Sequence, residues 1–151
     1  MTPPDQSPLP FGLAPEQLPH VEIRFRVSST KMGSGFDEIL LRGNGEVELA
    51  AAVLRDDPPQ IRQGSVPPLA VLRLLQLLAA EGLEGWDETY PAATRDYVGK
   101  VIELSFKEEL IKRVAMCQTE FPEFSRAYGA IKLVASLAAP EVVLGGLFNR
   151  I

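Results

Sequence analysis

Residues 37–54 read DEILLRGNGEVELAAAVL, and the turn at Gly43-Asn44-Gly45 decides how this chain folds. Two registers compete. A two-residue loop at Asn44-Gly45 sets Arg42 opposite Val47 and Leu41 opposite Glu48, which mixes charge into the apolar face. A three-residue loop with Gly45 in left-handed backbone sets Arg42 opposite Glu46, Leu41 opposite Val47 and Ile39 opposite Leu49. A slip of one residue turns every side chain to the other face, so the apolar pattern selects the three-residue loop. The stretch predicts an antiparallel hairpin with an apolar face and an ion pair at its rim.

Toward the N-terminus, Val21, Ile23, Phe25 and Val27 alternate with Glu22, Arg24, Arg26 and Ser28. A period of two with one apolar and one charged face predicts a half-buried strand. Residues 28–36 read as a polar, glycine-containing connection. Before the strand stand Pro3, Pro4, Pro8, Pro10, Pro15 and Pro19. Prolines this dense forbid a regular helix, so residues 1–19 read as a proline-rich arm, docked loosely or offered to a partner.

Toward the C-terminus, residues 55–67 read as a loop, because prolines and Gly64 interrupt any ladder. Pro68 suits the first turn of a helix. The leucine-rich run behind it leaves only Arg73, Gln76 and Ala80 as a stripe for water, so this helix is expected to be largely buried. Gly82 is placed to end it in left-handed backbone, with Leu83 following. Residues 84–97 form an acidic, aromatic connection. Val98–Phe106 favours a strand, and Leu110–Cys117 reads as its hairpin partner, although 106–116 also fits an amphipathic helix. Pro122 opens a second helix whose Phe124, Tyr128, Ile131 and Ala135 share one face, and Pro140 ends it. The last residues, 141–151, are an apolar tail broken by Gly145-Gly146.

These elements predict an α+β fold. An antiparallel sheet of about five strands, in the order β-β-β-α-β-β-α, carries two helices on one face. The expected division is an arm over 1–19, a single domain over 20–140 and a tail over 141–151. At 151 residues the chain is long enough to bury a core without staples.

Composition narrows the function. The net charge of −5 argues against binding nucleic acid through its phosphates. A single cysteine, Cys117, excludes an internal disulfide. No apolar run approaches a membrane span and no secretory signal is visible, so a cytoplasmic location is the expectation. One histidine, His20, and one cysteine leave no metal-ligand spacing, and no cofactor is implied. A Cys–His pair would require both strand ends to meet; otherwise Cys117 is a small buried hydrophobe. Ser28 to Lys31 holds a Ser-x-x-Lys spacing without a helix to present it, and Gly33 and Gly35 lack the rest of a phosphate loop. The paired acids Asp37-Glu38, Asp56-Asp57, Asp87-Glu88 and Glu108-Glu109 read as solvation and turn chemistry.

Surface recognition is what remains. Trp86, Tyr90 and Tyr97 in one acidic connection are candidate partner contacts, set against a role as a lid over the core. Arg24 and Arg26, with Arg42 and Arg113, could form a basic strip for an acidic partner, set against pairing with Glu22, Glu46 and Glu48. Leu147 and Phe148 are candidate anchors in the tail. The leading expectation is a non-enzymatic module that binds another protein, such as an adaptor, an inhibitor or an immunity-type protein. A cavity for a small molecule or lipid between sheet and leucine-rich helix is the alternative. A carboxylate enzyme built on Asp87, Asp96 or Glu103 comes third. An exposed edge strand could also pair two copies of the chain.

Overall fold

The computed structural model describes residues 7–29, 34–91, 98–117 and 120–139. The hairpin forms in the register that the apolar pattern selects. β2 (Ser34–Arg42) and β3 (Glu46–Leu54) pair antiparallel with Leu41 opposite Val47 and Ile39 opposite Leu49. Gly45 sits at φ +98°, its N–H donating to the Arg42 carbonyl at 2.9 Å. Arg42 Nη1 meets Glu46 Oε2 at 3.2 Å. Gly43 is needed for a different reason: a Cβ there would lie 1.6 Å from the Leu18 carbonyl oxygen, where the arm crosses the turn.

β1 (Val21–Ser29) lies beside β2 and continues on its other side into β6 (Val98–Phe106). β7 (Glu109–Met116) completes the second hairpin. Residues 109–116 are therefore strand, not helix. The isolated propensity of that stretch yields to the pairing that β6 offers. The hairpin turns on Lys107 and Glu108, at φ +49° and +68°. Both central residues of a two-residue loop then occupy left-handed backbone, which favours Asn-Gly. Replacing Lys107-Glu108 by Asn-Gly is expected to stabilise the protein by about 1–2 kcal/mol. A melting temperature raised by several degrees would show it; an unchanged one would contradict it.

Two strands were not expected. β4 (Gln60–Ser65) pairs antiparallel with β3 inside the stretch read as a loop. The two-residue β5 (Thr89–Tyr90) pairs parallel with β7. The sheet is thus seven-stranded and mixed, in the order β4-β3-β2-β1-β6-β7-β5, rather than five-stranded and antiparallel. β4 escapes a pattern reading because it is an edge: its side chains are mostly exposed, so it has no apolar face to betray it.

Both helices cover one face. α1 (Pro68–Ala80) buries Val71, Leu74, Leu75 and Leu78, and α2 (Pro122–Ala138) buries Phe124, Ala127, Ile131 and Ala135. They join Val21, Ile23, Phe25, Ile39, Leu41, Leu49, Ile102 and Leu104 in one core cluster. Tyr128 lies 5.0 Å from the Phe25 ring, and Ala138 reaches Gly64 on β4. Arg126 at the start of α2 grips Glu81, just beyond α1, through two 2.8 Å bonds. Those bonds hold the Glu81 carboxyl below the ordinary carboxylate value. Gly82 ends α1 at φ +90°, as its position in the sequence predicts.

Gln76 is a correction. Helical spacing puts it on the water stripe of α1, yet it is buried. Residues 7–12 of the arm lie over it, and its Nε2 reaches the Ser7 carbonyl at 3.5 Å. Leu9 of the arm is buried in the core cluster, and the Phe11 N–H donates to the Glu84 carboxylate. Asp37 is a second correction. Read with Glu38 as a solvated pair, it is 1% exposed. Alternation along β2 turns it to the core face two residues before Ile39, while Glu38 turns the other way.

Candidate protein-interaction surface

Alternation along the strands builds the second face of the sheet. β1 presents Glu22, Arg24 and Arg26 there, and the register sets Arg42, Leu40 and Glu38 of β2 directly opposite them. On the other side stand Ser105, Glu103 and Val101 of β6, with Arg113 of β7 opposite Glu103. Glu48 of β3 extends the row beyond Leu40. The result is a mosaic in which Arg113, Glu103 and Arg24 alternate in sign across three strands. Among the described residues, α1 and α2 lie on the other side, and the Arg24 and Arg26 side chains here are about half exposed.

Charge balance on the mosaic is local. Arg42 is matched twice, by Glu22 at 3.3 Å and by Glu46 at 3.2 Å. The bond to Glu22 is the main reason its guanidinium sits above the ordinary arginine value. Arg24 and Arg26 are matched differently. Both lean on one carboxylate, Glu38, each at 3.6 Å. Arg26 also lies 4.0 Å over the Phe36 ring. Their side chains remain 45% and 46% exposed. Two guanidiniums share this one carboxylate, with Glu103 on the other side of Arg24, and such long, half-exposed contacts contribute little stability.

Three shallow hollows line the rim where β1 begins and β2 ends. One of about 190 Å³ is lined by Glu22, Arg24, Glu103, Ser105 and Glu108. The second, about 340 Å³, adds Pro19, His20, Arg42 and Lys107. The third, about 330 Å³, runs on past Arg42 to Glu46, Glu48 and Gln63. None of the three touches α1. The contact between α1 and the sheet is filled by Val71, Leu75 and Leu78, each fully buried.

The other candidates fall elsewhere. Trp86 is 9% exposed and packs on Phe121 and Phe124 at 5.2 and 5.9 Å. Its Nε1 donates to the Glu81 carbonyl. Tyr90 stacks on Phe121 at 5.3 Å, and its hydroxyl accepts the Asp87 N–H. These aromatics close the core at the ends of α1 and β7. Tyr97, Leu147, Phe148 and Asp96 lie outside the described residues, as do Thr30 and Lys31 of the Ser-x-x-Lys stretch. His20 immediately precedes β1, beside Phe106, whereas Cys117 follows the residue opposite Lys100. They stand at opposite ends of the sheet, roughly 20 Å apart along β6. Glu103 lines the first hollow with Glu22 and Glu108 and without Asp87. Among the described residues, no group of three or more His, Cys, Asp or Glu is placed to hold a metal ion. Among them too, no helix is long and apolar enough to cross a membrane.

What pattern reading missed on this face is Glu38. Its sequence neighbourhood suggests only a solvated acid beside Asp37, but the register makes it the shared partner of both arginines. The signal was present: once Ile39 faces Phe25, Glu38 must face Arg26.

A scan against protein-family models finds no match for this chain, and a search of curated proteins finds none.

Proposed function

We propose that this protein is a non-catalytic protein-interaction module that binds an acidic segment of another protein on the open face of its sheet. The observation that carries the reading is the sharing of Glu38 by Arg24 and Arg26. Their contacts to Glu38 are long and both side chains stay half exposed, so a carboxylate arriving from a partner meets two accessible guanidiniums, and Arg forks accept carboxylates in two-point contacts. The surrounding mosaic adds selectivity, since a partner must match an alternating pattern and not merely a net charge.

The test is affinity capture from the native lysate with three forms of the full chain. These are the wild type, Arg24→Glu/Arg26→Glu, and a control in which Arg126→Glu reverses a charge on the helix layer. The reading expects a partner whose recovery falls at least about ten-fold with the open-face variant and holds with the control. Equal recovery by all three, with folding verified by circular dichroism, would remove the open face as the binding site.

A further inference from the structure

The two edges of the sheet are built differently. At the β7 edge, Leu104 faces Lys112 while Ser105 faces Leu110, so Ile111 is the extra residue of a bulge. Lys112 and Arg113 sit beside it, the Lys112 ammonium reaching the Trp86 carbonyl at 2.5 Å, and β5 covers the end of the strand. Bulges and edge cations are the devices by which natural sheets refuse another strand. Among the described residues, the β4 edge has no bulge and one cation, Arg62. Its register with β3 runs unbroken from Gln60 to Ser65, and it contains no lysine and no proline. Ile61 is 58% exposed.

The backbone shows which groups point outward. Val66 N–H donates to the Gly45 carbonyl at 2.8 Å, and these residues extend the β3–β4 register as a directly opposed pair. Hydrogen-bonded and non-bonded pairs alternate along an antiparallel ladder. Gly64, Arg62 and Gln60 therefore turn their backbone groups to β3. Ile61, Gln63 and Ser65 turn theirs outward.

We infer that β4 pairs antiparallel with β4 of a second copy of this chain, centred on Gln63. That centre engages all three outward residues: Gln63 faces its own mate, and Ile61 faces Ser65. It also sets Arg62 opposite Gly64, where no side chain competes for space. A centre on Arg62 would put two like charges face to face. A centre on Ile61 would strand Ser65 and draw Pro59, which has no N–H, into the ladder. An identical strand supplies the matching donors, acceptors and glycine in one symmetric contact. Pro58-Pro59 and Pro67-Pro68 end the ladder at the same length on both copies. So short an interface belongs to the weak end of specific association, with a dissociation constant of roughly 10 µM to 1 mM.

Sedimentation of the full chain from about 5 µM to about 1 mM tests this, with Gln63→Pro beside the wild type. The substitution removes only an outward N–H, which edge strands tolerate. Cross-linking fixes the register. In a Cys117→Ser background, Gln63→Cys places two thiols at directly opposed Cα positions about 5.5 Å apart, within disulfide reach. Arg62→Cys places them two residues out of line and beyond it. The expected result is a wild-type mass that climbs toward the dimer and a Gln63→Pro mass that does not. Covalent dimer is expected to form at least ten-fold more readily from Gln63→Cys than from Arg62→Cys. A wild-type mass that stays monomeric throughout, or equal cross-linking at both positions, would overturn the pairing. Neither outcome bears on the open face, whose test reads capture of a different protein.

Discussion

Gly45→Val is expected to cost about 4 kcal/mol and to lower the melting temperature by roughly 8–16 °C. Two effects add. At φ +98° a β-branched side chain meets its own backbone, which alone costs about 1–2 kcal/mol. A Cβ at this position would also lie 2.2 Å from the Val66 carbonyl oxygen. That carbonyl cannot retreat freely, because the Val66 N–H is held by the Gly45 carbonyl. The strain therefore spreads from the β2–β3 turn into the junction between β4 and α1. Differential scanning calorimetry reads the loss directly. A shift under about 2 °C would mean that the three-residue loop is not the native one.

Phe25→Ala is expected to cost about 3–5 kcal/mol. Phe25 is fully buried at the centre of β1, with Ile39 and Ile102 opposite it on the flanking strands and Tyr128 of α2 above it. Removing the ring opens a void that three rigid elements surround, so the site has little means to collapse. Urea unfolding gives the value from the midpoint at constant slope. A loss below about 1.5 kcal/mol would show that the sheet and α2 do not share this core.

Much of the fold was legible because it rests on alternation. Val21 to Val27 and Ile39 to Leu49 must face a core together, and only one register allows it. Proline and glycine punctuation located α1, its end at Gly82 and the start of α2. The parts that stayed hidden have physical reasons. β4 has exposed side chains and sits between proline pairs, so nothing in QIRQGS distinguishes an edge strand from a loop. β5 is two residues long and exists only because β7 offers a parallel partner. Gln76 looked solvent-facing because helical spacing cannot reveal that a proline-rich arm crosses that side of the helix.

The candidate site was legible in half. Arg24 and Arg26 were identifiable as neighbours on a wet face from the period of β1 alone. Their shared dependence on Glu38 required the β1–β2 register, which adds one long-range pairing to the local pattern. Trp86 shows the opposite limit. A tryptophan in an acidic connection reads equally as a hot spot or a lid, and only the positions of Phe121 and Phe124 place it inside.

Arginine footprinting with phenylglyoxal, on the protein alone and with its captured partner, tests the open-face account most directly. Arg24 and Arg26 line the proposed site, and Arg126, also exposed, stands on the helix layer as an internal reference. The account expects the partner to slow modification of Arg24 and Arg26 while Arg126 reacts as before. Protection of Arg126 with Arg24 and Arg26 reacting as in the free protein would place the partner on the helices and contradict it.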